Sequence, residues 1–260
     1  MASVDKSIHP TASGRALKTV EEHSRPAGSD ELVFYAGWFC PFVQRVWLAL
    51  EEKHIPYQYK EENPYKKDAD FLEVSPKGLV PAIKWRGKPL HESLVILNFL
   101  EDAYADTPPL LPKDPYARAQ AALAIDHVSK AVVPAFYRLL QRQDAEEQAD
   151  ARTELEGALR RFGEMADVEG PFFAGGGVGM ADLVCAPWVA RFPILEKHRG
   201  WDASGISPRF SRWMSAITAR PAYVATLSEP ERYEEVYGRY LRDESHSAVA
   251  QSTRAGRDLP

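Results

Sequence analysis

The sequence predicts an α/β domain over residues 29–105, a linker over 106–115 and an all-α domain over 116–242. Three observations lead there. Leu32-Val33-Phe34-Tyr35-Ala36 is a short apolar run rich in β-formers, and after Gly37 the spacing of apolar residues becomes helical. From there to Tyr104, segments alternate in the order β-α-β-α-β-β-α, the pattern of a compact α/β domain. Asp106-Thr107-Pro108-Pro109-Leu110-Leu111-Pro112-Lys113-Asp114-Pro115 is proline-rich, and everything beyond it reads as helix.

Taken in order, residues 1–28 lack the apolar stretch of a secretory signal and are expected to be a mostly mobile tail. Residues 32–36 form the first strand. Pro41 suits the first turn of the helix that follows, because its fixed φ fits and its missing N–H is not needed there. Val43, Val46, Trp47 and Leu50 mark one face of that helix. Cys40 therefore sits where a strand ends and a helix begins. The positive end of a helix dipole lowers a thiol's pKa below its free value of about 8.5 and makes it nucleophilic. A strand, a Cys-Pro turn and a helix open a thioredoxin-like domain. A dithiol protein would carry a second cysteine at position 43, which here is Val43. A mixed disulfide on Cys40 must then be resolved by an outside thiol, which in the cytosol is glutathione.

Tyr57-Gln58-Tyr59-Lys60 reads as a second strand, with Pro56 marking a strand start or an edge. A short helix is expected over residues 71–74. Pro76 and Gly78 make a turn, and Pro81 lies directly before a short apolar strand over residues 82–85. Arg86-Gly87-Lys88-Pro89 reads as the turn of a hairpin that returns at Leu90-His91. An apolar helix is expected from Leu94 to Tyr104, preceded by Glu92-Ser93. In the second half, residues 116–142 read as one long helix kinked at Pro134. Leu155, Leu159, Phe162 and Met165 mark the next, and residues 180–197 a buried one. Phe210, Trp213, Met214 and Ile217 repeat at helical spacing, as do Tyr233, Val236, Tyr237 and Tyr240. Residues 243–260 lack periodicity and are expected to be a loose tail.

The net charge of −5 gives no electrostatic case for nucleic acid or for an anionic membrane surface. Cys40 and Cys185, the two cysteines, make no disulfide framework and suit a reducing compartment, so a cytoplasmic location is expected. No apolar run approaches the ~18 residues that would span a bilayer.

A thioredoxin-like domain joined by a short linker to an all-helical domain resembles the cytosolic glutathione transferases. The resemblance covers residues 30–242. Phe39-Cys40-Pro41-Phe42-Val43-Gln44-Arg45 looks like the Omega class, whose active-site residue is a cysteine. Gly78-Leu79-Val80-Pro81 and Glu92-Ser93 match two further landmarks of the family. The resemblance implies glutathione as co-substrate, no metal, a homodimer, and Cys40 as the catalytic residue. It implies that Pro81 is cis and that Val80 offers its N–H and C=O to the cysteinyl part of glutathione. Ser93 and the helix start beside it would bind the γ-glutamyl carboxylate. Glu92 would meet the ligand's ammonium, Lys67 its glycine carboxylate, and Phe42 would pack beside the thiol. Arg191, Tyr233 and Tyr237 would border the pocket for a hydrophobic or aromatic second substrate. Gly179-Met180-Ala181-Asp182 takes the place of the family's capping box without its hydroxyl, and Asp182 can still bond back to the helix start.

The activities this resemblance implies are thiol transfer, dehydroascorbate reduction and removal of glutathione from adducts, in detoxification, through a Cys40–glutathione mixed disulfide. A different reading is a ligandin-type protein that binds aromatic or polyphenolic compounds with little turnover. A third, a chloride intracellular channel-like protein, shares the Cys-Pro-Phe start. It would need a first helix able to enter a membrane, whereas Glu51-Glu52-Lys53-His54 closes this one with charge.

Overall fold

The computed structural model of the chain describes residues 8–25, 32–63, 66 and 69–259. They divide into two compact units. The first runs to Leu110 and includes residues 220–232; the second holds Leu111–Ala219 and the chain from Tyr233 onward.

The first unit is built on a mixed sheet of β1 (Leu32–Ala36), β2 (Tyr57–Glu61), β3 (Ala82–Trp85) and β4 (Lys88–His91), in the order β2-β1-β3-β4. β1 lies inside the sheet, and Leu32, Phe34 and Ala36 are fully buried, which is why it reads as an unbroken apolar run. β2 pairs parallel to β1, with Ala36 opposite Glu61; β3 is antiparallel to β1, and β4 to β3. A parallel pair needs a crossover, and α2 (Pro41–Glu52) supplies it. α3 (Ala69–Val74) and α4 (Ser93–Ala103) complete the β-α-β-α-β-β-α order, as expected for a thioredoxin-like domain. The hairpin turn is tighter than expected. Arg86 and Gly87 both have positive φ, as a two-residue type I′ turn requires, so β4 starts at Lys88. Pro89 then falls opposite Lys84 in an edge strand, where a missing N–H does no harm.

The N-terminal segment corrects the expectation of a mobile tail. Residues 1–7 and 26–28 lie outside the described residues, but Gly14–Glu22 form helix α1. Its anchors are small and polar, which hides them from a search for apolar periodicity. Ser13 N–H donates to Ser228 Oγ at 3.2 Å, Ala16 N–H to Leu227 O at 2.9 Å and the Thr19 hydroxyl to Ala225 O at 2.8 Å. Those partners belong to a stretch read from sequence as part of the helical domain. Residues 220–232 instead return to the first unit. Arg220 pairs with Glu52 at 2.9 Å, and Gln44 Nε2 donates to Thr226 Oγ1 at 3.2 Å. Within this return stretch, Pro221–Ala225 form a short helix. The charged end of α2 is thus held by Arg220 on Glu52 and by Glu101 on Lys53 at 2.8 Å.

The second unit is helical. The segment read as one long helix kinked at Pro134 is three pieces: a helix over Pro115–His127, a π-helical turn over Val128–Val132 and a helix over Val133–Gln141. Pro134 has no N–H to give to the preceding turn, and the wider π turn stands just before it. The next helix spans Ala145–Met165, capped by Asp144 on Glu146 N–H and Glu147 N–H. The segment 180–197 is likewise two helices, Met180–Val189 and Phe192–Arg199, because Pro193 starts a new one at its second position. Trp213, on the helix Pro208–Thr218, meets Phe162 edge-on at 5.1 Å in the core. The tyrosine-rich helix covers Pro230–Leu241. The C-terminal tail is not loose throughout. Ser247 caps a helix over Ala248–Arg254, and Gln141 Nε2 donates to Ala250 O at 3.2 Å. Its buried residues, Ala250 and Thr253, are too small to stand out in a sequence pattern.

Among the described residues no helix is long and apolar enough to cross a membrane, and no group of His, Cys, Asp or Glu is arranged to hold a metal.

Candidate active site

Cys40 is the N-cap residue of α2 and Pro41 its first residue. The turn from β1 is closed by Cys40 N–H donating to Gly37 O at 2.9 Å. Gly37 is needed there by close approach. A Cβ would come within 3.3 Å of Glu62 O, a tight contact with backbone, and 3.5 Å of Val80 Cγ2. Cys40 is partly exposed, whereas Cys185 is fully buried within its helix.

The peptide Val80–Pro81 is cis, as the resemblance implies. Cys40 Sγ lies 3.8 Å from Val80 O, close enough for the thiol to donate to it. The structure thus brings the cysteine and the backbone of Val80 together.

α4 begins at Ser93, and its N-cap residue is Glu92, with no side-chain cap bond. Ser93 is thus the first helical residue and not the cap. Ser93 is buried, and its Oγ lies 3.5 Å from Arg45 Nη1 as acceptor. Glu92 has φ 72°, a conformation that costs a non-glycine residue about 1–3 kcal/mol and is usually retained at a functional position. Its carboxylate already holds an ammonium, that of Lys77 at 2.9 Å. Such an exposed pair contributes about 0–1 kcal/mol, so another ammonium can displace it.

Arg45 was quoted in the sequence motif without a role. It is 2 % exposed, stacks over the Phe42 ring at 5.1 Å from the centroid and reaches Ser93, so it ties α2 to α4 inside the site. The signal was available: an arginine among Val43, Val46 and Trp47 on a buried helix is rare unless paired. Glu61 is a second residue that sequence reasoning missed. Its Oε1 accepts from Trp38 N–H at 3.0 Å and its Oε2 from the Tyr59 hydroxyl at 2.9 Å. Burial pushes its carboxyl up to about 8 against the pull of those two bonds. Lys67 lies outside the described residues.

The three residues assigned to a second-substrate pocket are in the second unit. Arg191 stacks over the Tyr233 ring at 4.4 Å and donates from Nη1 to Pro187 O at 2.6 Å. Tyr237 stacks on Tyr240 at 5.5 Å between centroids. All three side chains are buried, so as arranged they pack helices rather than line open space. Asp182 is the polar centre of this unit. It accepts from Gly179 N–H, Phe173 N–H and Trp213 Nε1–H, each at 2.8 Å, so it does bond back to its helix start. Burial raises its carboxyl to about 6, opposed by those three bonds.

Residues 39–103 match the N-terminal domain of glutathione S-transferases, and residues 121–221 match the C-terminal domain. The solved structure of glutathione transferase Omega 3C from Trametes versicolor is 46% identical, covers 91% of this chain and 100% of its own, and superposes with a TM-score of 0.84. Rice GST1, solved in complex with glutathione, is 33% identical, covers 82% of this chain and 96% of its own, and has a TM-score of 0.75. Mouse glutathione S-transferase omega-1 is 28% identical over 89% of this chain and 96% of its own length. With both domains matched in order and a cysteine at the head of α2, the chain belongs to the glutathione S-transferase family, on the side of its Omega class.

Proposed function

We propose that this protein carries out glutathione-dependent thiol transfer and reduction through Cys40. The observation that carries the reading is a partly exposed cysteine at the N-terminus of a helix, beside the backbone of a cis-proline peptide. The dipole of α2 favours thiolate there. In the reaction, Cys40 thiolate attacks the glutathione sulfur of a disulfide. A Cys40–glutathione bond forms, and the other sulfur leaves as thiolate. A second glutathione then attacks that same glutathione sulfur, giving oxidised glutathione and restoring Cys40 thiolate. With dehydroascorbate, the two electrons come from two glutathiones, which leave joined as the disulfide.

The residues present suit glutathione. Val80 offers one N–H and one C=O for the cysteinyl backbone. A ligand N–H on Val80 O takes over the acceptor that the thiol now uses, which frees the sulfur to ionise. Ser93 and the amides opening α4 would hold the γ-glutamyl carboxylate, Glu92 its ammonium, and Lys67 the glycine carboxylate. Phe42, fixed by Arg45, would pack against the ligand's stem. We keep Arg191, Tyr233 and Tyr237 as residues of the second-substrate side, the role that the resemblance implies. The protein would act as a homodimer in the cytoplasm.

The direct test is intact mass after incubation with oxidised glutathione, followed by peptide mapping. One added glutathione on Cys40 is expected. Addition mapped mainly to Cys185 would overturn the assignment.

A further inference from the structure

Glu61 ends β2 opposite Ala36, the last residue of β1. Beyond that pair the sheet ladder stops and the chain after β1 turns toward Cys40. Glu62 N–H still donates to Ala36 O at 2.6 Å. Past this point it is a side chain that reaches over: Glu61 Oε1 takes the Trp38 N–H at 3.0 Å. Its other oxygen is steadied by the Tyr59 hydroxyl at 2.9 Å. Tyr59 is itself locked, 5 % exposed and packed on Trp47 at 4.9 Å and Phe34 at 5.9 Å. At the other end, the Trp38 indole donates to His9 O at 2.9 Å and its ring meets Phe39 edge-on at 5.7 Å. The chain from Tyr59 through Glu61 to the Trp38 amide thus ends two residues before the cysteine.

We propose that Glu61 is a positioning residue for Cys40: its carboxyl holds the backbone of residues 37–40 in the turn that leaves the thiol at the start of α2. This rests on the reading of Cys40 as the reactive thiol. The electrostatics agree with the geometry. With its carboxyl pushed up to about 8, Glu61 is mainly neutral at pH 7. A neutral carboxyl still offers a carbonyl oxygen to the Trp38 amide, and its proton can turn toward the Tyr59 oxygen. It therefore holds the turn without placing a negative charge beside a thiolate. The charged neighbours facing it are Glu62, which raises its pKa, and Lys60, which pairs with Glu62 at 3.0 Å.

The test is the rate at which iodoacetamide alkylates Cys40 at pH 7, followed by peptide mass, beside the affinity for S-methylglutathione, which cannot react at sulfur. Glu61→Ala should slow alkylation about tenfold, the scale expected when a reacting group is displaced, and leave affinity within about twofold. Glu61→Gln should restore the rate to within about threefold, since its amide oxygen can accept the Trp38 N–H and its amino group can donate to Tyr59. An unchanged or faster rate in Glu61→Ala overturns the proposal, as does a Glu61→Gln rate as low as that of Glu61→Ala. Equal losses of rate and affinity in Glu61→Ala also overturn it, because the site has then collapsed as a whole. Should Glu61→Ala not fold, the wild-type protein decides. Its Trp38 amide proton should shift in NMR as the Glu61 carboxyl titrates, and an amide blind to that titration counts against the proposal. Alkylation reports on the thiol whatever it normally reacts with. Failure of Cys40 to accept glutathione would sink the transfer reading and leave these ratios to be judged separately.

Discussion

The two cysteines show how position alone divides one chemistry into two. Cys40 stands at the N-terminus of α2, partly exposed, with a carbonyl 3.8 Å from its sulfur. Cys185 stands inside its helix, fully buried among Leu183, Val184, Ala186 and Trp188. A thiol becomes a nucleophile where its anion is stabilised and reachable, and Cys185 has no access for a reagent. A second contrast is between two carboxyls, that of the buried Asp182 and that of the half-buried Glu61. Asp182, with three donated bonds, rises to about 6, whereas Glu61, with two and a second carboxylate beside it, rises to about 8. Burial sets the direction in both; the donated bonds oppose it, and at Glu61 the Glu62 carboxylate adds to it.

The sharpest way to break the comparison is to exchange thiol for hydroxyl at each place. Cys40→Ser should lower thiol transfer and dehydroascorbate reduction about a thousandfold or more, because a hydroxyl forms no stable mixed disulfide. Glutathione binding should survive, and conjugation of glutathione to an aryl halide should appear, since α2 then acts on the ligand's own sulfur. Cys185→Ala should keep the activities of the parent. Parental thiol transfer in Cys40→Ser, or its loss in Cys185→Ala, would invert the roles.

The next effect is on stability. Asp182 has a folded-state pKa of about 6, above the ordinary 3.8 of the unfolded chain. The folded state therefore holds this proton longer. Its contribution to stability is greatest below pH 3.8 and declines as pH rises to about 6, by roughly 3 kcal/mol at most. Denaturation of the parent and of Asp182→Asn across pH 4–7 isolates it. The parent should lose ground to the variant as pH rises, on top of a constant cost to the variant of about 1–3 kcal/mol for the acceptor it lacks. A difference between the two that does not change with pH would mean that Asp182 ionises normally.

The smallest expected effect is Ser93→Ala. Losing a charge-assisted hydrogen bond to the ligand's carboxylate costs about 1.5–3 kcal/mol, or roughly ten- to a hundredfold in glutathione affinity. Because the hydroxyl caps nothing, the fold should lose only about 1 kcal/mol or less. Calorimetry that finds full affinity together with a large fall in melting temperature would return Ser93 to a purely structural role.

The sequence by itself determined the elements whose causes are local. β1 was legible as a buried apolar run, α2 by Pro41 and its apolar face, the hairpin by Arg86-Gly87-Lys88-Pro89, and the position of Cys40 by the junction between strand and helix. The order of elements then left few topologies open. What only the tertiary structure decided are features made by residues far apart in the chain. Helix α1 and the return of residues 220–232 are held by Ser13, Thr19, Gln44 and Arg220, polar side chains whose partners lie 168 to 216 positions away. The break at Pro193 was written in the sequence, but apolar periodicity ran across it, and the kink expected at Pro134 takes the form of a π-helical turn just before it. That Glu92 and not Ser93 takes the cap position, with positive φ, is likewise a property of the folded backbone. Glu61 looked like one more charge in a polar stretch. It gained a role only when the register of β2 against β1 set its carboxyl under the Trp38 amide, because hydrogen bonds act over 3 Å and a sequence carries no distances.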